Sequence, residues 1–186
     1  MSDVALRDIT AATVRAICAL EVRQDQKGFV APNAISIAQA YFEPAARFKA
    51  IYAAETPVGF LMWRPGSESG VCYLWRFMID HRHQRNGYGK TALKLLFQAL
   101  RDQRFHLLKT SIVQGSAGPL EFYRSLGFRE TGETVPNGES LLLLSLLMHG
   151  GPGRAFNPSG AHRRRRPGVR RDGRSCAAPG SAAGDR

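Results

Sequence analysis

Gln84-Arg85-Asn86-Gly87-Tyr88-Gly89 is the stretch that decides how this chain folds. Before it lies Val71–Asp80, rich in aromatic and β-branched residues and therefore strand-like. After it, Ala92, Leu93, Leu96 and Leu100 recur at helical spacing, which predicts a helix over roughly Tyr88–Asp102. In a loop between a strand and a helix start, successive backbone N–H groups can point into one concavity. The helix adds the positive end of its dipole. Gly87 and Gly89 allow close backbone approach and unusual dihedrals, and Arg82, Arg85 and Lys90 add positive charge. The combination suits a diphosphate. A tight turn needing two glycines for steric reasons is the plainer alternative; the strand–loop–helix order tips the balance toward the anion.

Two nucleotide motifs share parts of this pattern and fail. Gly89-Lys90-Thr91 matches the end of the P-loop, G-x-x-x-x-G-K-S/T, but Gln84 stands at the first glycine position. No later strand ends in an Asp suited to hold magnesium. The dinucleotide fingerprint G-x-G-x-x-G needs a third glycine where Ala92 stands. What remains is Q-x-x-G-x-G.

Working outward, Val4–Ile9 reads as a strand and Thr10 as the N-cap of a helix over Ala11–Val22. Gln24–Asn33 reads as a loop, and Ala34–Phe42 as a second helix stopped by Pro44. Arg47–Ala54 and Val58–Arg64 form a strand pair around Glu55-Thr56-Pro57. Beyond the central helix, Leu107–Val113 is a strand. Pro119 opens a helix to Leu126 that Gly127 closes, and Phe128–Thr131 and Ser140–Leu147 are the last strands. The order β-α-α-β-β-β-α-β-α-β-β predicts an α/β (α+β) fold with at least one parallel pairing in a mixed sheet.

The Q-x-x-G-x-G loop resembles the pyrophosphate-binding signature Q/R-x-x-G-x-G/A of the GNAT N-acetyltransferase superfamily. Pro57-Val58-Gly59-Phe60 is similar to the family's glycine-containing third strand, and Leu74-Trp75-Arg76-Phe77-Met78-Ile79-Asp80 to its fourth. Glu121-Phe122-Tyr123-Arg124-Ser125-Leu126-Gly127-Phe128 is similar to its FY-x-x-x-GF helix and sixth strand. These motifs fall in family order across residues 3–147. The resemblance implies a mostly antiparallel central sheet of about seven strands with helices on both faces. It implies acetyl-CoA as co-substrate, no metal, and acetyl transfer to a primary amine by direct attack.

The resemblance also implies roles. The backbone of Met78 and Ile79 would pair with the pantetheine arm, and one N–H there would polarise the thioester. Gln84, Arg85, Asn86, Gly87, Tyr88, Gly89 and Lys90 would cradle the pyrophosphate. Phe122 would pack near the arm, and Tyr123 would protonate the departing thiolate. Helical periodicity alone would make Tyr123 a core aromatic. The family often places an Asn in the loop after the fifth strand; Gln114-Gly115-Ser116-Ala117-Gly118 offers none, so the contacts of that loop stay open.

Attack on a thioester needs a neutral amine, whereas an alkyl ammonium has a pKa of about 10.4, so a base or a water chain must take a proton. Glu21, Glu43, Glu55 and Asp80 are the candidates, and none is singled out over a solvated surface role. His81 and His83 flank the loop without a third metal ligand.

Phe29-Val30-Ala31-Pro32-Asn33 and Trp75-Arg76-Phe77 are similar to the spermine/spermidine, or diamine, acetyltransferase branch. Tyr73, Trp75 and Phe77 are expected to alternate onto one strand face. There Trp75 and Phe77 would pack an aliphatic polyamine or receive its cations. Plain sheet packing accounts for them equally well.

At 186 residues the chain has room for one domain and an extension. Residues 149–186 carry nine Arg and two Asp, which is +7 of the net +11 and leaves +4 on residues 1–148. That tail is nearly all Gly, Pro, Arg, Ser and Ala around Arg163–Arg166, a composition predicting disorder. Nucleic-acid binding through it is a second function class. With Phe156 its sole aromatic, the tail predicts weak, non-specific binding at most. An acetyl-CoA sensor without turnover is a third.

The apolar run Leu141–Met148 is too short for a membrane span, and Met1–Arg7 lacks the order of a secretory signal. Cys18, Cys72 and Cys176 are widely spaced with no C-x-x-C, which predicts a cytoplasmic setting. Pairing into a homodimer stays open.

Overall fold

The computed structural model describes residues 3–115 and 118–147. The expectation of a disordered tail over 149–186 lies outside the described residues. In chain order the elements are β1 (Val4–Arg7), α1 (Val14–Cys18), α2 (Asn33–Tyr41), β2 (Arg47–Ala53), β3 (Thr56–Pro65) and β4 (Val71–Ile79). Then follow α3 (Tyr88–Asp102), β5 (Leu107–Ile112), α4 (Leu120–Arg124), β6 (Arg129–Thr134) and β7 (Ser140–Ser145). Short 3-10 turns cover Gln24–Gln26 and His81–His83.

The strands form one seven-stranded sheet in the order β1-β2-β3-β4-β5-β7-β6. Every neighbouring pair is antiparallel except β4 with β5, which is parallel. This is the mixed, mostly antiparallel sheet that the resemblance implies, with the parallel pairing expected from the element order. The single parallel pair follows from chain connectivity, because α3 is the crossover between β4 and β5.

The sheet buries both faces. On one, Leu61, Trp63, Cys72, Leu74 and Ile79 pack against Ala92, Leu93, Leu96, Phe97 and Leu100 of α3. Each large apolar side chain so buried stabilises the fold by about 1.5–3 kcal/mol. On the other, Ala50, Tyr52, Phe60, Met62 and Met78 meet Ile17 of α1 and Leu20, with Ile37 and Ala40 of α2 packed against them.

Two local expectations are corrected. The first helix spans Val14–Cys18 rather than Ala11–Val22, and Thr13, not Thr10, is at its N-cap. Tertiary partners end it early. Glu21 N–H donates to Asp80 Oδ2 at 3.1 Å, and the Glu21 carbonyl accepts from His81 N–H at 2.8 Å. Those bonds replace the i→i−4 ladder. The third strand begins at Thr56 rather than Val58, with Pro57 opposite Tyr52 beside a bulge at Ile51/Tyr52. A proline is tolerated there because the bulge interrupts the ladder.

Candidate active site

A cleft of about 1430 Å³ opens in the middle of the sheet. Its cause lies in β4. Trp63 pairs with Leu74 and Met62 with Arg76, so Trp75 is an extra residue, a β-bulge. Bulges bend a strand and strengthen its twist. β4 and β5 stay paired only over Val71–Tyr73 and Leu107–Lys109. Beyond that point Leu74–Ile79 and Thr110–Ile112 diverge and line the two sides of the cleft. Met78 and Ile79 therefore lie on a β4 edge with no strand partner.

The bulge also breaks the expected alternation. Tyr73 and Trp75 share a face, for the Arg64 guanidinium carbon lies 5.6 Å from one ring centre and 5.7 Å from the other. Trp75 packs with the α1/α2 side of the sheet. Phe77 is on the α3 side and stacks on Phe122 of α4, ring centres 5.7 Å apart and planes within 7°. Trp75 and Phe77 thus do not form one platform, and the indole is already flanked by the guanidinium groups of Arg64 and Arg76, the latter at 5.2 Å.

At the other end of the cleft is the glycine loop. Gly87 has φ +79°, and a Cβ there would meet nothing within 4 Å, so the space before α3 is open. α3 has no side-chain cap and no acidic residue in its first turn. Its first N–H groups are therefore available to an anion. Arg85 is also left-handed, at φ +64°. Arg85, Gly87, Tyr88, Gly89 and Lys90 line the cleft.

Three members of the loop also have partners within the protein. Gln84 donates to Gln26 Oε1 at 2.7 Å and to the Ile79 carbonyl at 3.0 Å, so its side chain pins the loop. Asn86 donates to the His83 carbonyl at 3.2 Å and does not line the cleft. Gly89 lies within α3, where a Cβ would stand 3.3 Å from Phe77 Cζ and 3.4 Å from Phe122 Cζ. Its glycine lets the helix settle on the Phe77–Phe122 pair.

Tyr123 of α4 is buried, edge-on to Phe122 and Phe128, and reaches the cleft. Burial pushes its hydroxyl pKa above the ordinary tyrosine range, and the neighbouring Thr110 hydroxyl offsets this only in part. The group stays protonated through the neutral range and is a proton donor.

Ser111, the residue after Thr110, is joined to the other face of the split. Tyr73 Oη donates to Ser111 Oγ at 2.6 Å, and Ser111 Oγ donates to Glu139 Oε2. Asn137 Nδ2 donates to Glu139 Oε1 at 2.8 Å. Tyr73, Ser111 and Glu139 all line the cleft. Nothing in the linear sequence marks Glu139, which sits in a turn before β7 with no motif around it.

None of the carboxylates first considered as a base lines the cleft. Glu21 pairs with Lys27 at 3.1 Å and Glu55 with Arg7 at 2.9 Å. Asp80 is buried beneath the loop. Burial would raise its pKa, but hydrogen bonds from the Arg82 side chain and from the Glu21 and Arg82 N–H groups outweigh it and hold the carboxyl down at about 2. It clamps the loop to the segment after α1. Among the described residues no group of three His, Cys, Asp or Glu side chains comes together as a metal site, and no helix is long and apolar enough to cross a membrane.

Residues 14–128 match the model of the acetyltransferase (GNAT) family. A spermine/spermidine N(1)-acetyltransferase of Bacillus subtilis (strain 168) is 30% identical over 145 residues, which cover 70% of this chain and 91% of that protein. The PaiA N-acetyltransferase of Thermoplasma acidophilum, solved in complex with coenzyme A, aligns with TM-score 0.59 at 12% identity, over 77% of this chain and 99% of that one. The ribosomal-protein-S18-alanine N-acetyltransferase of Escherichia coli aligns with TM-score 0.58 at 16% identity, over 83% and 100%. These two structures share the fold.

Proposed function

The chain belongs to the acetyltransferase (GNAT) family, and from that premise we propose that it transfers the acetyl group of acetyl-CoA to a primary amine by direct attack. The observation that carries this reading is the parting of β4 from β5, with an open, uncapped helix start at one end and Tyr123 beside it. The residues present fit the cofactor. The open space at Gly87, the first N–H groups of α3, Arg85 and Lys90 suit a pyrophosphate. The unpartnered edge at Met78 and Ile79 suits an amide-bearing arm, and the apolar Phe77–Phe122 pair suits its aliphatic part. Acetyl-CoA bound there supplies an activated thioester.

The two faces of the split divide the proton chemistry. On the α1/α2 face, Glu139 accepts the ammonium proton through Ser111 and Tyr73, leaving a neutral amine. An N–H of Met78 or Ile79 donates to the carbonyl oxygen as it gains charge. The C–N bond forms and the C–S bond breaks. Tyr123 on the α3 face gives its proton to the departing sulfur, and the second proton lost from the attacking nitrogen passes through solvent to return Tyr123 to the neutral phenol, leaving an amide and a free thiol. Placing donor and acceptor of protons on opposite faces keeps them from neutralising each other.

The names of the Bacillus relatives put polyamines among the amines to be tested, and Glu139 supplies negative charge for an ammonium. We assign transfer to residues 1–148, with 149–186 dispensable for it, and a cytoplasmic setting in keeping with Cys18 and Cys72 as free thiols. The test is release of coenzyme A thiol with a panel of amines, with mass spectrometry of the N-acetyl product. Amine-dependent release supports the reading. Coenzyme A binding with no amine-dependent release would show a sensor instead.

A further inference from the structure

The acceptor side of the cleft carries more positive charge than an amine alone requires. The bulge at Trp75 places Arg76 and Trp75 on the same face, and Arg64 reaches that face from β3. Both guanidinium groups line the cleft, and neither makes an ion pair among the described residues. Arg76 is half-buried. Its Nη1 donates to the Trp75 carbonyl at 2.8 Å and its Nη2 to Gln39 Oε1 at 3.1 Å, both neutral acceptors. Its Nε is buried with no partner at all.

Burial lowers the Arg76 pKa, and the charge of Glu139 opposes that only at a distance. The Glu139 oxygens are themselves engaged by Ser111 and Asn137. A desolvated guanidinium without a carboxylate is costly, and a ligand anion relieves the cost. Its planar fork suits the two oxygens of a carboxylate.

Resting on the acetyl-transfer reading, we propose that the acceptor is a primary amine that also carries an anionic oxygen group, a carboxylate in the first instance, bound between Arg64 and Arg76. The amine end meets the Tyr73–Ser111–Glu139 relay and the anionic end meets the two guanidinium groups. A polyamine matches one end and is repelled by the other, because its second ammonium would approach a face with two fixed cations flanking the indole.

Substrate pairs that differ by the anionic group alone test this. Ornithine is compared with putrescine, lysine with cadaverine, and phosphoethanolamine with ethanolamine. The carboxylate-bearing partners are expected to show kcat/KM at least about tenfold higher than the decarboxylated ones, a difference of about 1.4 kcal/mol. In Arg76→Gln, and separately in Arg64→Gln, that ratio is expected to fall toward one, with coenzyme A affinity as the control for folding. A preference confined to phosphoethanolamine also supports the inference and identifies the anion as phosphate. Equal or higher kcat/KM for the decarboxylated amines, or ratios unmoved in both variants, would overturn it while leaving acetyl transfer intact. Absence of turnover with all six amines, despite bound coenzyme A, would overturn the acetyl-transfer reading and this inference together.

Discussion

Thr110 Oγ1 donates to the Leu74 carbonyl at 3.0 Å, tying β5 to β4 at the residues where the two strands part. The same hydroxyl is the polar neighbour of Tyr123. One side chain thus serves the vertex of the split and the proposed acid. Thr110→Val keeps the shape and leaves the Leu74 carbonyl without this partner, at a cost of about 1–3 kcal/mol. Urea unfolding is expected to show that loss, and the activity to fall with it. Unchanged stability would mean that the strands part without this tie.

Tyr123→Phe removes a hydroxyl and keeps the packing against Phe122 and Phe128. Loss of one acid contribution predicts a fall in kcat on the order of 10²-fold with coenzyme A affinity retained. Because burial raises the Tyr123 pKa, the wild-type rate is expected to show no loss from its ionisation as pH approaches the ordinary tyrosine value of about 10. A Phe variant as fast as wild type, with chemistry shown to limit turnover, makes the hydroxyl structural.

Glu139→Gln retains the shape of the turn but cannot hold the amine's proton. Acetylation at neutral pH is expected to drop by roughly 10²-fold in kcat/KM for the acceptor, while coenzyme A affinity stays the same. Rates within about twofold of wild type would point to water as the proton acceptor.

Asp80 predicts an acid-sensitive fold. Its folded pKa of about 2 lies below the ordinary value of about 3.9, so its contribution is present above the ordinary value and is lost as pH falls toward 2. The shift corresponds to about 2 kcal/mol. Asp80→Asn is expected to lower stability at pH 7 by an amount of that order and to flatten the pH dependence between about pH 5 and pH 2. Parallel pH profiles for the two proteins would show that the Asp80 clamp contributes little.

The legible part of the fold was that in which one residue type has few physical alternatives. Gly87 sits at φ +79°, which strongly favours glycine, and the helix after it buries the residues its spacing foretold. Gly127 closes α4 at φ +93° for the same reason. The illegible part depended on contacts between distant segments. The period-2 pattern puts Trp75 and Phe77 on one face, and a single extra residue in β4 undoes it. The helical pattern of Ala11–Val22 gave way to bonds between Glu21 and the Asp80–His81 segment. That Gly89 also has Phe77 and Phe122 beside it is a packing demand the loop motif does not show. Glu139 and Arg76 become site residues only when the turn before β7 and the bulge bring them to the cleft.

The central claim is that the open loop at Gly87 and the split between β4 and β5 hold coenzyme A, and calorimetric titration of coenzyme A into wild type and Gly87→Asp tests it most directly. The variant adds a negative charge in the space before α3 and a side chain at a left-handed position, at a backbone cost of about 1–2 kcal/mol. Saturable binding by wild type, weakened at least about tenfold in a folded variant, is the predicted result. Equal affinities in two folded proteins would contradict it and place the cofactor elsewhere.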